Sequence, residues 1–163
     1  MSNARDFARI AQNIDSSGRS ANTNQPAFNI ISYGASASSG ASVIGEDGNN
    51  GQSVSVISNN GSHFSTSTGE FTIPVNGIYF FAGYADQSTS VGGPAIQLKR
   101  TDTGGSVYAL SYDSYLYSTA YNGTGVSALY SFVANEKVRL FFNHYNGVTS
   151  TNYRSGFSGF LIG

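Results

Sequence analysis

The stretch "HFSTSTGEFTIPVNGIYFFAGYAD", residues 63–86, combines many aromatic residues with residues that form turns. It holds six of the 22 Phe and Tyr residues in the chain. Phe, Tyr and Ile favour β-strands, whereas Gly, Pro and the Asn-Gly pair favour turns. Side chains alternate between the two faces of a strand, so Ile78 and Phe80 point one way while Tyr79 and Phe81 point the other. The stretch therefore predicts a strand that is apolar on both faces.

The β pattern continues from residue 26 to the end of the chain. Nine short runs rich in strand-forming residues follow one another, with no helical window between them. They are residues 27–33, 53–58, 70–75, 77–84, 95–100, 106–112, 126–133, 137–145 and 156–162. Asn-Gly, a strong turn signal, occurs five times, at residues 50–51, 60–61, 76–77, 122–123 and 146–147. This order predicts an all-β antiparallel sandwich or barrel.

The alternation within the later strands indicates how the sheets are covered. In residues 137–145, Val138, Leu140 and Phe142 share one face opposite a mostly polar one, which is typical of a strand buried on one side. In residues 156–162 both faces are apolar, as in residues 77–84. A sandwich of one chain has a single inner face per sheet, so the second apolar face needs another cover. The simplest cover is another copy of the chain.

Composition excludes several classes of protein. The chain of 163 residues fits one domain, and only 10% of its residues are charged. A net charge of −1 does not indicate a nucleic-acid partner, and the absence of Cys excludes disulfides and thiolate metal sites. No run of 18 apolar residues predicts a membrane helix, and the N-terminus lacks the apolar core of a signal peptide. We expect a protein that stays in the cytoplasm or leaves the cell by another route, such as inside an assembled virus particle.

The first 25 residues differ from the rest. Phe7, Ile10 and Ile14 recur at helical spacing, and Gly18 with a polar run then ends the pattern. A helix of about 10 residues is marginal in water, so it is expected to fold against a partner or against copies of itself. The alternative is a disordered tail with a chance apolar pattern. We predict an anchoring arm over residues 1–25 and a β head over residues 26–163.

The residues of the central stretch have the spacing of a known family. The order Thr-Gly-x-Phe-Thr-x-Pro-x-x-Gly-x-Tyr-x-Phe resembles the central motif of the complement C1q globular head, which is related in fold to tumour necrosis factor. Its positions here are Thr68, Gly69, Phe71, Thr72, Pro74, Gly77, Tyr79 and Phe81. The end of the chain, with Phe157, Gly159 and Phe160, is similar to the family's terminal Phe-x-Gly-Phe strand. The resemblance covers roughly residues 26–163.

The resemblance implies a ten-stranded jelly-roll that forms a tight trimer around an apolar axis. Tyr79, Phe81 and Phe160 are expected at or near that axis, with ordinary core positions as the alternative. The chain departs from the secreted animal members because it has no collagen-like stem, and residues 34–56 do not align securely with the family. The arm is similar to the particle-binding ends of bacteriophage fibre and decoration proteins, and such fibres are commonly trimeric.

The sequence offers little for catalysis or metal binding. His63 and His144 have no acidic neighbour in sequence, and the chain lacks a nucleophile elbow, an H-E-x-x-H motif and a phosphate loop. We therefore expect no enzyme activity and no cofactor. Some family members bind Ca²⁺ in loops near the trimer apex, and Glu46 and Asp47 offer two carboxylates in "EDGNNGQS". Calcium usually needs six to eight oxygens, so a solvated turn is the alternative there.

The tyrosine-rich segment 106–125, "SVYALSYDSYLYSTAYNGTG", is the predicted recognition surface. Tyrosine supplies rigid amphipathic area, while Ser, Gly and Asn supply adaptable hydrogen bonds, a mixture that suits a glycan or protein receptor. The candidate receptor-binding residues are Tyr112, Tyr115, Tyr117, Tyr121 and Asn122. The alternative, favoured for Tyr108, is that the tyrosines pack across neighbouring strands.

These interpretations lead to one functional hypothesis with two alternatives. We expect a phage virion protein, a tail-fibre or capsid-decoration head that trimerises, docks onto other virion proteins through its arm and displays an adhesive surface for host glycan or protein. One alternative is a secreted, extracellular complement-like ligand that binds a receptor. The other is a capsid cement protein with no receptor role. None of the three predicts a nucleic-acid partner or membrane insertion.

Overall fold

Two antiparallel sheets face each other in the computed structural model, which describes residues 25–34, 36–37, 41–87, 94–114, 122–144 and 150–162. Nearly all of these residues lie in strands or turns, with a single 3₁₀ turn at Asn49–Gly51. No helix within the described ranges is long and apolar enough to cross a membrane. The predicted anchoring residues Phe7, Ile10 and Ile14 lie outside the described residues, so the arm stays a prediction.

The described part of the chain contains twelve strands in two sheets. Their bounds are β1 Ala27–Tyr33, β2 Ser36–Ala37, β3 Ala41–Ile44, β4 Ser53–Asn60, β5 Phe64–Ser65, β6 Glu70–Thr72, β7 Gly77–Gln87, β8 Pro94–Thr101, β9 Val107–Ser114, β10 Asn122–Phe132, β11 Lys137–His144 and β12 Ser150–Leu161. The first sheet has the order β10-β7-β12-β1-β4, and β2 also pairs with β12. The second sheet has the order β5-β6-β11-β8-β9, and β3 also pairs with β11. This arrangement confirms the predicted antiparallel jelly-roll sandwich.

All nine predicted runs contain a strand, but the turn signals were not equally reliable. Gly61 lies in the turn after β4 with a φ of 79°, a left-handed conformation that glycine adopts without strain. The turn predicted at Asn122-Gly123 was wrong. Those two residues begin β10 and pair with Gln87 and Asp86 of β7. Ladder hydrogen bonds to a long neighbouring strand outweigh the local turn preference of the dipeptide.

Aromatic rings fill the space between the sheets. Phe28 on β1 lies at the centre, with its ring centroid 4.7 Å from Phe64, 4.8 Å from Phe71 and 4.7 Å from Phe157. Phe64 and Phe71 come from the second sheet and Phe157 from the first, so these rings join the two layers. Burial of such rings is the main source of the head's stability, because each ring removes a large apolar area from water.

Strand β7 has the two apolar faces that its sequence predicts. Two of its residues, which were expected to contact other copies of the chain, instead lie on the inner face. Tyr79 and Phe81 are fully buried inside the protomer, with their rings packed against Phe71 and Phe132. They therefore have no surface left for an interface between copies. The expectation that they lie at a trimer axis is corrected in favour of the core alternative, because β7 turns these two residues toward the opposing sheet. Phe160 lies on the outer face and is 43% exposed.

Gly159 shows why the terminal strand carries glycine beside its aromatic residues. A Cβ atom at this position would lie 2.3 Å from the Phe81 ring and 2.9 Å from the Phe28 ring. Atoms cannot approach so closely, so a side chain here would displace two core rings. Glycine on β12 thus gives the central aromatic cluster its room.

Candidate binding faces

The outer face of the first sheet, which points away from the second sheet, carries a row of exposed apolar side chains. Leu129 of β10, Phe80 of β7 and Phe160 of β12 lie side by side in register, and the rings of Phe80 and Phe160 are 5.7 Å apart. Ile78 and Ile162 continue the apolar surface toward the end of these strands. Leu129 is 63% exposed and Ile162 is 53% exposed, Ile78 and Phe160 are also exposed, and Phe80 is half-buried between its neighbours. Such a cluster is typical of an interaction surface.

Small residues surround this row and open a shallow groove beside it. Ala82, Ser127 and Ser158 form the next row along the strands, and Tyr84 lies across Gly156 in the row beyond. The groove along β1, β7 and β12 has a volume of about 390 Å³. Small side chains allow another backbone to approach closely, so this face is suited to packing against a partner as well as to exposing apolar surface.

The outer face of the second sheet has a different character because it carries cations. Lys99 of β8 lies opposite Arg139 of β11, and Arg139 lies opposite Glu70 of β6. Glu70 forms ion pairs with Arg139 and with Lys137, whose Nζ atom lies 2.7 Å from Oε1 of Glu70. Lys99 forms no ion pair with any residue in the described ranges, and its Nζ atom lies 4.4 Å from the ring centroid of Phe141.

A clamp around Arg100 joins the two sheets at one edge. Its guanidinium donates hydrogen bonds to the carboxylate of Glu136 and to the Tyr130 hydroxyl. The same guanidinium lies 5.5 Å from the ring centroid of Tyr108 and 5.2 Å from that of Tyr130. The hydrogen bond from Arg100 to Glu136 raises the pKa of Arg100 above its ordinary value. Tyr108 is 48% exposed and contacts Arg100, its partner on the neighbouring strand, which is the kind of contact that the cross-strand alternative describes.

The structure describes only part of the predicted tyrosine surface. Tyr112 on β9 is 55% exposed and points to the outer face of the second sheet. Asn122 is the first residue of β10, and its side chain lies outside the described set. Tyr115, Tyr117 and Tyr121 fall entirely outside the described residues, so their receptor-binding role stays a prediction.

The two carboxylates proposed for calcium both take part in local hydrogen bonds. Glu46 accepts a hydrogen bond from the Asn49 side chain, and Oδ1 of Asp47 accepts one from the Val54 backbone N–H at 3.1 Å. Across the described residues, no three acidic or histidine side chains lie close enough together to hold a metal ion. The calcium hypothesis stays an untested prediction, and nothing in the geometry extends it.

The described histidine that could serve a catalytic site packs against an aromatic ring. The ring of His63 meets that of Phe71 edge-on, with centroids 6.2 Å apart. The side chain of His144 lies outside the described set. The described contact of His63 is a packing contact.

Comparison of the sequence with known protein families identifies the family to which this sandwich belongs. The sequence profile of the C1q domain matches residues 41–162. The chain belongs to the C1q domain family. No curated protein sequence matches the chain. The resemblance inferred from the central motif is therefore confirmed, and β1, which precedes residue 41, completes the first sheet of this C1q domain.

Solved structures with the C1q or tumour necrosis factor fold superpose on the chain. The globular domain of zebrafish complement 1qA protein is 22% identical, with 85% of this chain and 98% of that chain covered and a TM-score of 0.59. Murine APRIL is 11% identical, with coverages of 81% and 98% and a TM-score of 0.56. Eiger TNF from S. frugiperda is 14% identical, with coverages of 85% and 94% and a TM-score of 0.55. At identities this low, the superpositions show that the fold is shared and nothing more specific.

The sequence interpretation missed the cationic face of this C1q domain. Alternation in residues 137–145 already placed Arg139 and Phe141 on the polar side. The same reasoning applied to "AIQLKR" would have placed Gln97 and Lys99 on one face, opposite Leu98. Only the register between β8 and β11 brings Lys99 next to Arg139, and sequence alternation does not give register.

Proposed function

We propose that the chain forms a homotrimer through the outer face of the first sheet, and that the assembled head is a binding module without catalytic activity. The observation that carries the proposal is the apolar row of Leu129, Phe80 and Phe160, in which Leu129 and Phe160 are exposed and Phe80 is half-buried. This row lies on a sheet whose inner face is already filled by the core. Exposed apolar surface next to a groove lined by small residues is more stable when it is covered by protein.

Assembly of three copies is consistent with the modest size of one protomer core. A stable interface buries about 800 Å² on each partner, which requires the whole face rather than a single row of side chains. Ile78 and Ile162 extend the row at one end. At the other end, Tyr84 and the groove that it lines add a surface into which a partner's side chains can fit. Phe160 lies within this face and keeps its predicted role at the interface. The threefold arrangement comes from the family resemblance.

Two settings are proposed for the assembled head. In the first, residues 1–25 anchor it to a bacteriophage particle as a fibre or decoration protein, and the head binds a host surface or, as a cement protein, its capsid neighbours. In the second, the head is an extracellular ligand that binds a receptor. The C1q fold suits both settings. Substitution of Phe7, Ile10 and Ile14 by Ser in the full chain separates them, because it should abolish incorporation into a particle only in the first.

The oligomeric state tests the core of the proposal. Three copies of the 17.1-kDa chain give a mass of about 51 kDa, which light scattering on the full chain measures directly. Leu129→Asp and Phe160→Asp should convert the trimer to the monomer, because a carboxylate on this face would be desolvated without a partner. Val107→Asp is the matched control, since Val107 is 59% exposed but lies on the second sheet.

Each outcome of this experiment has a definite meaning. A trimeric parent protein with monomeric Leu129→Asp and Phe160→Asp variants, and a trimeric Val107→Asp control, supports the interface. A monomeric parent would overturn the proposal of self-association. Trimers in all four proteins would show that the chain associates through a different surface.

A further inference from the structure

Positive charge collects on the outer face of the second sheet, although the chain as a whole has a net charge of −1. Lys99, Lys137 and Arg139 all point to this side of β8 and β11. Among the described residues, Glu70 is the one carboxylate on the same face, and it pairs with both Arg139 and Lys137. Asp113, the other carboxylate on the strands of this sheet, accepts a hydrogen bond from Thr124 of the first sheet. Three cations therefore face one anion.

Lys99 is the least compensated of these cations. Among the described residues no carboxylate forms an ion pair with it, and its ammonium group lies over the ring of Phe141. A cation above an aromatic ring keeps its full charge and its capacity to donate hydrogen bonds. Lys99 is thus held at a fixed place on the surface and is available to a negatively charged group.

Flat and hydrogen-bonding groups lie beside the cations. Tyr112 of β9, Gln97 of β8 and Phe141 of β11 form one row in register, adjacent to the row that holds Lys99 and Arg139. Aromatic faces pack against the C–H surface of a sugar ring, and an amide side chain both donates and accepts hydrogen bonds with hydroxyl groups. The two rows together offer ring contact, amide contact and charge within one surface.

We propose that this face, formed by Lys99, Tyr112, Gln97, Phe141 and Arg139, binds an acidic saccharide whose carboxylate or sulfate group pairs with Lys99. The inference rests on the proposed function, because it assigns a ligand class and a site to the binding module. A nucleic acid fits the face less well, since two surplus charges and a pI of about 6.0 are far from the basic stripe that such partners need.

The location of the face is compatible with self-association. The proposed interface lies on the first sheet, so the second sheets of three copies would point outward and away from one another. Three weak sites on one rigid head bind a multivalent surface far more tightly than a single site does. A densely glycosylated surface is the natural partner of such an arrangement.

A glycan panel of matched pairs tests the proposal on the full-chain protein. Each pair differs only in a carboxylate or a sulfate group, for example 3′-O-sulfated lactose against lactose, or 3′-sialyllactose against its methyl ester. Binding of at least one acidic glycan about tenfold tighter than its neutral counterpart is expected, as for a charge-assisted hydrogen bond. Equal binding of acidic and neutral members, or no binding to any glycan, would overturn the inference.

Variants then locate the site. Lys99→Gln and Tyr112→Ser should each weaken binding of the acidic glycan about tenfold, and melting curves check that both variants fold. Arg154→Gln is the control, because it removes an exposed cation from the first sheet instead. If the control weakens binding as much as Lys99→Gln, net charge rather than this face explains the result and the proposal is wrong.

Light scattering on the same samples separates this inference from the proposed function. A trimer that binds no glycan would overturn the ligand assignment and leave self-association intact. A monomer that binds the acidic glycan through Lys99 and Tyr112 would overturn self-association and support the site. Binding of double-stranded DNA as tight as that of the acidic glycan would mark a general attraction for polyanions, which also contradicts the proposal.

Discussion

The guanidinium of Arg100 on β8 forms an ion pair with the carboxylate of Glu136, which is almost completely enclosed in the turn before β11. The second oxygen of Glu136 accepts a hydrogen bond from the Val133 backbone N–H at 3.1 Å. One buried carboxylate therefore ties a strand of the second sheet to the end of β10 in the first sheet.

Glu136→Gln should lower the free energy of unfolding by about 3 kcal/mol, because it leaves the cation of Arg100 without its countercharge in a desolvated place. Urea unfolding followed by circular dichroism measures the difference. Lys137→Gln is the control and should change stability by less than about 1 kcal/mol. Lys137 is half exposed, and Glu70 would still form its ion pair with Arg139 in this variant. Equal losses in both variants would contradict the clamp.

Gln52 is a buried amide that satisfies three groups at once. Its Oε1 atom accepts hydrogen bonds from the Ser32 hydroxyl at 2.7 Å and the Gly45 backbone N–H at 3.2 Å, and its Nε2 atom donates to the Val43 carbonyl at 2.7 Å. Gln52→Ala should cost about 2 to 4 kcal/mol, because all three partners lose a hydrogen bond in a buried site. Thermal unfolding tests this against Ser53→Ala, an exposed neighbour that should melt like the parent.

Gly159→Ala should destabilise the head by about 1 to 3 kcal/mol through overpacking against Phe81 and Phe28. Gly125→Ala provides the matched control on another strand of the same sheet, because a Cβ atom there would lie an ordinary 3.5 Å from the Gly83 carbonyl oxygen. The difference in denaturation midpoint between the two variants measures the steric cost. A Gly159→Ala protein as stable as the control would show that the aromatic cluster can rearrange.

Asp102 shapes the turn between β8 and β9, where its Oδ1 atom accepts hydrogen bonds from the backbone N–H groups of Gly104 and Ser106. These hydrogen bonds lower the pKa of Asp102 below its ordinary value of 3.8, and the bond from Ser106 makes the largest contribution. A lowered pKa means that the contribution to stability is present above the ordinary pKa and is lost as the pH falls through the lowered one.

The pH dependence of Asp102→Asn checks this sign. The melting temperature of the parent protein should fall relative to that of the variant as the pH drops below 3.8, because only the parent has this carboxylate to protonate. Comparing the two proteins removes the effect of the other acidic residues. A constant difference over that range would show that the turn does not depend on the charge.

The fold could be predicted from the sequence to a large extent because its signals are local. Alternation placed Val138, Leu140 and Phe142 on the inner face, and all three are buried. Short strands escaped detection: β2 and β5 have two residues each, and pairing across the sheet rather than propensity defines them.

The functional surfaces were harder to predict because they depend on which face of each strand points inward. The sequence showed that β7 is apolar on both sides but gave no reason to prefer one side, so Tyr79 and Phe81 were assigned outward while Ile78 and Phe80 lie there. Packing partners far away in sequence decide the matter: Phe28 and Phe132 enclose Phe81 between the sheets, and β7 alone does not reveal these contacts.

The position of β1 has a mechanical consequence. Residue 26 leads directly into β1, which lies between β12 and β4 and pairs antiparallel with both along its length. A force on a tether ahead of Pro26 that is opposed at the far end of the sheet would load these ladders in shear, so that many hydrogen bonds must break together. A force opposed at the end of β12 would instead peel the two strands apart one hydrogen bond at a time, because Ala27 lies opposite Phe160. β1 also carries Phe28 and Ile30 into the core, which adds resistance to its extraction. The resistance of the head to a pull at residue 26 is therefore set by the direction of the opposing force.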